Sequence, residues 1–75
     1  MAFADNETPT GTINGTNDTF TLANTPSPAE SLELYHNGLL MLAGGVDYTL
    51  TTDTIVYEAG AIPQTGDNHV AFYRY

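Results

Sequence analysis

Side chains that could carry out nucleophilic or acid–base chemistry are few in this sequence and lie far apart. His36 and His69 are distant from each other, and neither belongs to an H-x-x-x-H pair of the kind that binds zinc. Ser27 and Ser31 lack the G-x-S-x-G context of an activated serine. We therefore expect a protein that is not an enzyme, with both histidines at the surface and with no metal or cofactor.

Two sets of carboxylates could form a catalytic or a metal-binding site. Glu30 and Glu33 could form a catalytic pair, but no apolar or basic neighbour in the sequence would make one the acid and the other the base. Asp47, Asp53 and Asp67 lie in or near turns that could meet at one end of the fold and bind calcium. Their spacing matches no calcium loop, and aspartates in turns usually accept hydrogen bonds from nearby backbone. We favour that second interpretation.

The tyrosines allow two interpretations. Tyr73 and Tyr75 share one face of the last predicted strand, opposite Phe72, and Tyr35 lies in an earlier strand. Exposed tyrosines can stack on sugar rings, which would make Tyr35, Tyr73 and Tyr75 a glycan-binding set. In a small β-fold they more commonly cap the core with the hydroxyl at its rim, and we favour this alternative.

The charge balance excludes several classes of partner. Nine acidic residues stand against the single Arg74, which gives a formal charge of −8 at pH 7. Such a surface repels nucleic acid and anionic membranes. Residues 1–9 lack the features of a signal peptide, and no apolar run approaches the roughly 18 residues of a membrane span. We expect a cytoplasmic site of synthesis and no membrane or nucleic-acid partner.

The elements that must position these residues are strands. Threonine alternates with apolar residues at period two, and no segment shows a sustained helical stripe. Asn37-Gly38 and Thr52-Asp53 predict tight hairpin turns. Strands are predicted at residues 10–13, 19–22, 32–36, 39–42, 48–51, 54–58 and 70–75. This spacing predicts an all-β fold, a compact antiparallel β-sandwich or a partly open barrel of six to seven short strands.

Two apolar features predict contacts outside the chain. Residues 10–75 are expected to form the single domain, and residues 1–9 an extended N-terminal arm anchored on a neighbour through Phe3. The return strand at 39–42 is unusually apolar, so it should be buried on both faces or covered by another subunit. The predicted interface residues are Phe3, Leu39, Leu40, Met41 and Leu42.

The order of the turn and strand motifs is distinctive. The motifs are residues 11–22 (GTINGTNDTFTL), 26–28 (PSP), 32–38 (LELYHNG), 45–49 (GVDYT), 66–67 (GD) and 71–75 (AFYRY). In this order they resemble a small β-domain that recurs in virion proteins of tailed bacteriophages, including tail-fibre and neck proteins and the attachment region of some podophage tail fibres. The resemblance covers residues 11–75, nearly the whole sequence.

This resemblance implies a virion component without enzymatic activity. It carries over no catalytic residue, and it implies docking on other virion proteins, commonly in symmetric copies. Because the sequence has no coiled coil or receptor-binding tip, we expect a small accessory subunit of the virion. It would decorate the capsid or fit at the neck or tail. A carbohydrate-binding module is the alternative.

Overall fold

The computed structural model describes residues 2–75, which form seven strands in two antiparallel sheets. The strands are β1 (Phe3–Glu7), β2 (Thr19–Thr21), β3 (Glu33–His36), β4 (Leu39–Leu40), β5 (Tyr48–Thr51), β6 (Thr54–Tyr57) and β7 (His69–Arg74). One sheet has the strand order β1-β7-β3-β4 and the other the order β2-β6-β5. The all-β sandwich predicted from alternation is confirmed.

Tight turns connect the hairpins where the sequence predicts them. Asn37 and Gly38 have φ angles of 53° and 85°, the positive values that a type I′ turn requires. Thr52 also has a positive φ, of 56°, in the turn between β5 and β6. These turns fix the registers of β3 with β4 and of β5 with β6.

The core lies between the sheets and is built from the inward members of each alternating strand. The ring of Phe20 meets the ring of Tyr57 edge to face, with centroids 5.6 Å apart. The buried apolar residues are Phe20, Leu22, Leu32, Leu34, Tyr48, Ile55, Tyr57, Ala71 and Tyr73. Four of these nine are aromatic, so a few large side chains fill a small interior.

The predicted strand 10–13 does not form, and the predicted strand 39–42 is shorter in the structure. Of residues 10–13, only Thr10 pairs, through an isolated bridge to Thr21. The following residues form a loop instead, because the Asn14 side chain accepts hydrogen bonds from the backbone N–H groups of Thr16 and Asn17. The predicted strand 39–42 pairs only at its first two residues.

The N-terminal segment differs from the predicted arm. Residues 3–7 are a strand of the four-stranded sheet, paired antiparallel with β7. Glu7 holds the end of β1 in place: one carboxylate oxygen accepts the Tyr73 hydroxyl at 2.6 Å and the other accepts the N–H of Ala23 at 2.8 Å. The division at residue 9 is therefore not a boundary of the fold. Met1, the first residue of the predicted arm, lies outside the described residues.

Candidate functional site

The two sheets present outer faces of different chemistry. On the three-stranded sheet, directly opposed residues form two rows across the strands. The rows are Thr19, Val56 and Thr49, then Thr21, Thr54 and Thr51. Five of these six residues are threonine, which is ordinary for a β-surface in contact with water.

The outer face of the four-stranded sheet instead combines aromatic and apolar side chains with three charged ones. Tyr35 of β3 lies between Val70 of β7 and Leu40 of β4, its directly opposed neighbours. Phe72 is opposed to Glu33, and its ring meets the Tyr35 ring edge to face at 5.9 Å. Further along, Phe3 is opposed to Arg74. We call this surface the outer face: Phe3, Asp5, Glu33, Tyr35, Leu40, Val70, Phe72 and Arg74.

Two shallow depressions adjoin on the outer face. The first has a volume of about 440 Å³ and is lined by Glu33, Tyr35, Gly38, Val70 and Phe72. The second has a volume of about 420 Å³ and extends towards β1; Phe3, Asp5, Glu30, Ser31, Glu33, Phe72, Tyr73 and Arg74 line it. Both include Glu33 and Phe72, so the two depressions adjoin, and we call them together the groove.

Carboxylates border this groove. Asp5, Glu30 and Glu33 line it together with Arg74, so its rim carries three acidic groups and one basic group. Among residues 2–75 the structure shows one ion pair, between His36 and Asp67, and it lies outside the groove lining. The three rim carboxylates therefore have no ion-pair partner among the described residues.

The predicted interface residues do not form one patch. Phe3 and Leu40 lie on opposite margins of the outer face and are 66% and 50% exposed. Leu39 and Leu42 are also exposed, at 69% and 55%, but lie outside that face. Met41 packs against the core, and its N–H donates to the Leu34 carbonyl.

Val70 and Phe72 are the outer-face residues that the interface prediction missed. A signal for them exists in the sequence, because the segment 70–73 is apolar at consecutive positions and so must show apolar side chains on both faces of the strand. That signal does not say which face is covered by the second sheet.

The three predicted glycan-binding tyrosines are not brought together. Tyr73 is buried with its hydroxyl bonded to Glu7, which agrees with the favoured interpretation of a tyrosine at the rim of the core. Tyr75 lies beside it, with ring centroids 5.8 Å apart. Tyr35 lines one depression of the outer face, whereas the buried Tyr73 lines the other and Tyr75 lines neither.

His69 is buried, and the expectation that it lies at the surface is wrong. It is 1% exposed, and its Nδ1 is hydrogen-bonded to the Tyr57 hydroxyl at 2.8 Å. Within the part of the chain that the structure describes, its Nε2 has no hydrogen-bond partner. Burial is the main cause that lowers the pKa of His69, and the electrostatic interaction with His36 lowers it further. The Pro9 carbonyl raises the pKa of His69 and so offsets part of this shift, although it makes no hydrogen bond with the Nε2 atom.

The neighbours of His69 make this a closed structural cluster. Burial, followed by repulsion from Tyr48, raises the pKa of the Tyr57 hydroxyl. The stacked rings of Tyr57 and His69 lie 5.9 Å apart, and the Phe20 ring covers the imidazole at 4.6 Å. A neutral imidazole enclosed in this way holds strands together and offers no path to a substrate.

The half-buried His36, the last residue of β3, joins that strand to the loop before β7. Its Nε2 lies 2.9 Å from a carboxylate oxygen of Asp67. The pKa of Asp67 is lowered to about 2, first by the backbone N–H of Gln64 and then by hydrogen bonds with Asn37 and His36.

The other two turn aspartates also make local contacts. Asp47 accepts the N–H of Leu42 at 2.8 Å, and Asp53 accepts the hydroxyl of Thr54 at 3.2 Å. Within residues 2–75 the structure shows no group of three or more His, Asp or Glu side chains suited to a metal ion. In the same part of the chain there is no helix of the length and apolar character needed to cross a membrane.

Comparison with known proteins finds no matching family model, no matching curated protein and no matching solved structure.

Proposed function

We propose that this chain is a non-enzymatic structural subunit of a bacteriophage virion that docks on larger virion proteins through the outer face. The observation that carries the proposal is the contrast between the two sheets. One outer face is almost entirely threonine, whereas the other carries the half-buried Tyr35, Phe72 and Val70 beside the exposed Leu40. An apolar sheet face that water would otherwise contact is typical of a surface that a partner covers.

The order of motifs along residues 11–75 supports the virion setting, because it resembles domains of tail-fibre and neck proteins. An accessory role at the capsid, neck or tail suits a domain of this size. Such subunits occupy a particle in symmetric copies, and here the arrangement would follow the symmetry of the larger protein. Docking would also add stability that a small core cannot supply alone.

Particles of the phage that encodes the chain provide the test. Mass spectrometry of purified particles should detect the chain, and a cryo-EM map should place the outer face against another virion protein. A Phe3→Ser, Leu40→Ser double variant should be incorporated at a reduced copy number, because both side chains are exposed at the margins of that face. Val46→Ser is the matched control, since Val46 is 63% exposed and lies outside the face. Particles that lack the chain, or normal incorporation of the double variant, would contradict the proposal.

A carbohydrate-binding module is the second candidate. Its support is the part of the groove where Phe3 and Phe72 lie beside Asp5, Ser31 and Arg74, because sugar sites combine aromatic rings with polar groups. A glycan array separates the two candidates: specific hits that disappear in Phe72→Ala favour this function, and an array without hits argues against it.

A further inference from the structure

The acidic rim of the groove restricts the kind of protein that can dock there. Asp5, Glu30 and Glu33 line the same depression as Phe72, and the Phe72 and Tyr35 rings form the aromatic centre of the outer face. Covering this centre with an uncharged surface would take the three carboxylates partly out of water without compensation, which costs free energy. A partner that brings positive charge to the rim avoids this cost.

We propose that the occupant of the outer face is a protein surface with an apolar centre rimmed by Arg or Lys side chains. This inference rests on the docking role proposed above and names the chemistry of the partner. Glu33 of β3 is directly opposed to Phe72 of the neighbouring strand β7. A partner cation above the Phe72 ring would therefore also lie near the Glu33 carboxylate. Arginine suits this position well, because its planar guanidinium both stacks on aromatic rings and pairs with carboxylates.

A second copy of this chain fits the face poorly. A two-fold contact through this face would place the Asp5, Glu30 and Glu33 carboxylates of both copies in one interface. Arg74 is the only Arg or Lys in the sequence, so each copy contributes one basic group against three acidic ones at this rim. The net charge of −8 on each copy adds long-range repulsion.

The test uses the full chain and two synthetic peptides as probes. Both peptides carry the same central Leu and Phe residues; one is flanked by Arg and the other by Glu. In NMR titrations of the isotopically labelled chain, the Arg-flanked peptide should shift the amide signals of β3 and β7. The Glu-flanked peptide should leave these amide signals unchanged. Raising the ionic strength from about 0.01 M to about 0.15 M should weaken the Arg-flanked complex, because the rim charges face solvent.

Charge reversal at the rim gives the sharper comparison. Glu33→Lys should weaken binding of the Arg-flanked peptide by roughly three- to tenfold. Glu58→Lys makes the same change of charge at an exposed position outside the groove lining, so binding should stay within about twofold. Binding of neither peptide, equal binding of both, or equal effects of the two variants would overturn the inference.

Two further outcomes separate this inference from the proposed function. If particle maps show the outer face docked but the peptides are not distinguished, the docking role stands and the basic partner is wrong. If light scattering shows a dimer of the purified chain that Leu40→Ser dissociates, a second copy is the occupant, and the inference is overturned.

Discussion

Gly11 lies against the ring of Phe20, the aromatic side chain at the centre of the core. Its φ of 150° belongs to a region that residues with a side chain rarely adopt. A methyl group at this position would overlap the Phe20 ring, so the close approach of the loop to the core depends on the absence of a side chain.

We expect Gly11→Ala to lower the free energy of unfolding by about 2 kcal/mol, because the core must shift to accept the methyl group. Urea unfolding followed by circular dichroism measures the loss. Gly60→Ala is the control: a methyl group there meets nothing within 4 Å, so its effect should stay within about 0.5 kcal/mol. Equal stability of the two variants would contradict the expected overlap.

His69 should make stability depend on pH. Burial lowers its pKa in the folded chain, whereas in the unfolded chain histidine takes up a proton near pH 6.5. Below that pH the unfolded state binds more protons, so the free energy of unfolding should fall as the pH drops from 7 to 5.

His69→Gln removes this titration and leaves a side chain that can still bond the Tyr57 hydroxyl. The fall in unfolding free energy between pH 7 and pH 5, measured in urea, should therefore be smaller than in the parent chain. His36→Gln removes the other histidine and should retain the fall. If His69→Gln kept the full pH dependence, the buried imidazole would not be its source.

At the scale of elements, β1 is attached to the fold by more than its ladder with β7. Glu7 at its end contacts both Tyr73 of β7 and the backbone of Ala23 after β2, so one carboxylate joins three segments. Without it, β1 would keep its ladder but lose the contact that closes its C-terminal end.

We expect Glu7→Ala to cost about 2 kcal/mol, because two hydrogen bonds to a charged group are lost and the Tyr73 hydroxyl loses its acceptor. Amide exchange measured by NMR should accelerate in β1 before the other strands. Asp5→Ala, in the same strand with its side chain on the outer face, should change the stability much less. Comparable losses in both variants would show that the strand, and not the Glu7 carboxylate, determines the effect.

The loop before β7 is joined to the turn after β3 through Asp67. Because its folded pKa is about 2, below the ordinary value of 3.8, its contribution is present above pH 4 and is lost as the pH falls from about 4 to about 2. Asp67→Asn should be less stable at pH 7 and should lose less stability over that acid range. Asp53→Asn, which alters a different turn, should keep the acid-dependent loss. The midpoints of urea unfolding at pH 7, 4 and 2 measure the stability of the two variants and of the parent chain.

At the scale of the whole molecule, the charge is large for the size. The fold extends 34 × 21 × 18 Å and carries a net charge of −8. At about 0.01 M ionic strength the screening length is roughly 30 Å, so most carboxylates repel one another, whereas at about 0.15 M it is roughly 8 Å.

Sodium chloride should therefore stabilise the chain over this range, by on the order of 1 kcal/mol, as measured by urea unfolding. The Glu33→Lys, Glu58→Lys double variant provides the comparison. Each exchange adds two positive units, which brings the net charge to −4 and should reduce the salt effect. If the free energy of unfolding of the parent chain did not change with salt, charge repulsion would contribute little to its stability.

Local sequence pattern predicted six of the seven strands, β2 to β7, together with two tight turns and the residues that share a face of each strand, but it missed β1 and the burial of His69. Alternation of Thr19-Phe20-Thr21 and of Thr54-Ile55-Val56 assigns a face to each side chain, and Asn37-Gly38 determines a turn, because these are local properties of the backbone.

The order of the strands in each sheet and the faces that pack together depend on contacts between distant segments. Pairing β1 with β7 joins the two ends of the chain, and packing of the sheets enclosed His69. The groove likewise arises because Tyr35 lies opposite Val70 in a register between distant segments. Period-two alternation says which residues share a face of one strand. Long-range packing determines which strand pairs with it and which sheet covers it, because these contacts join residues that are far apart in the sequence.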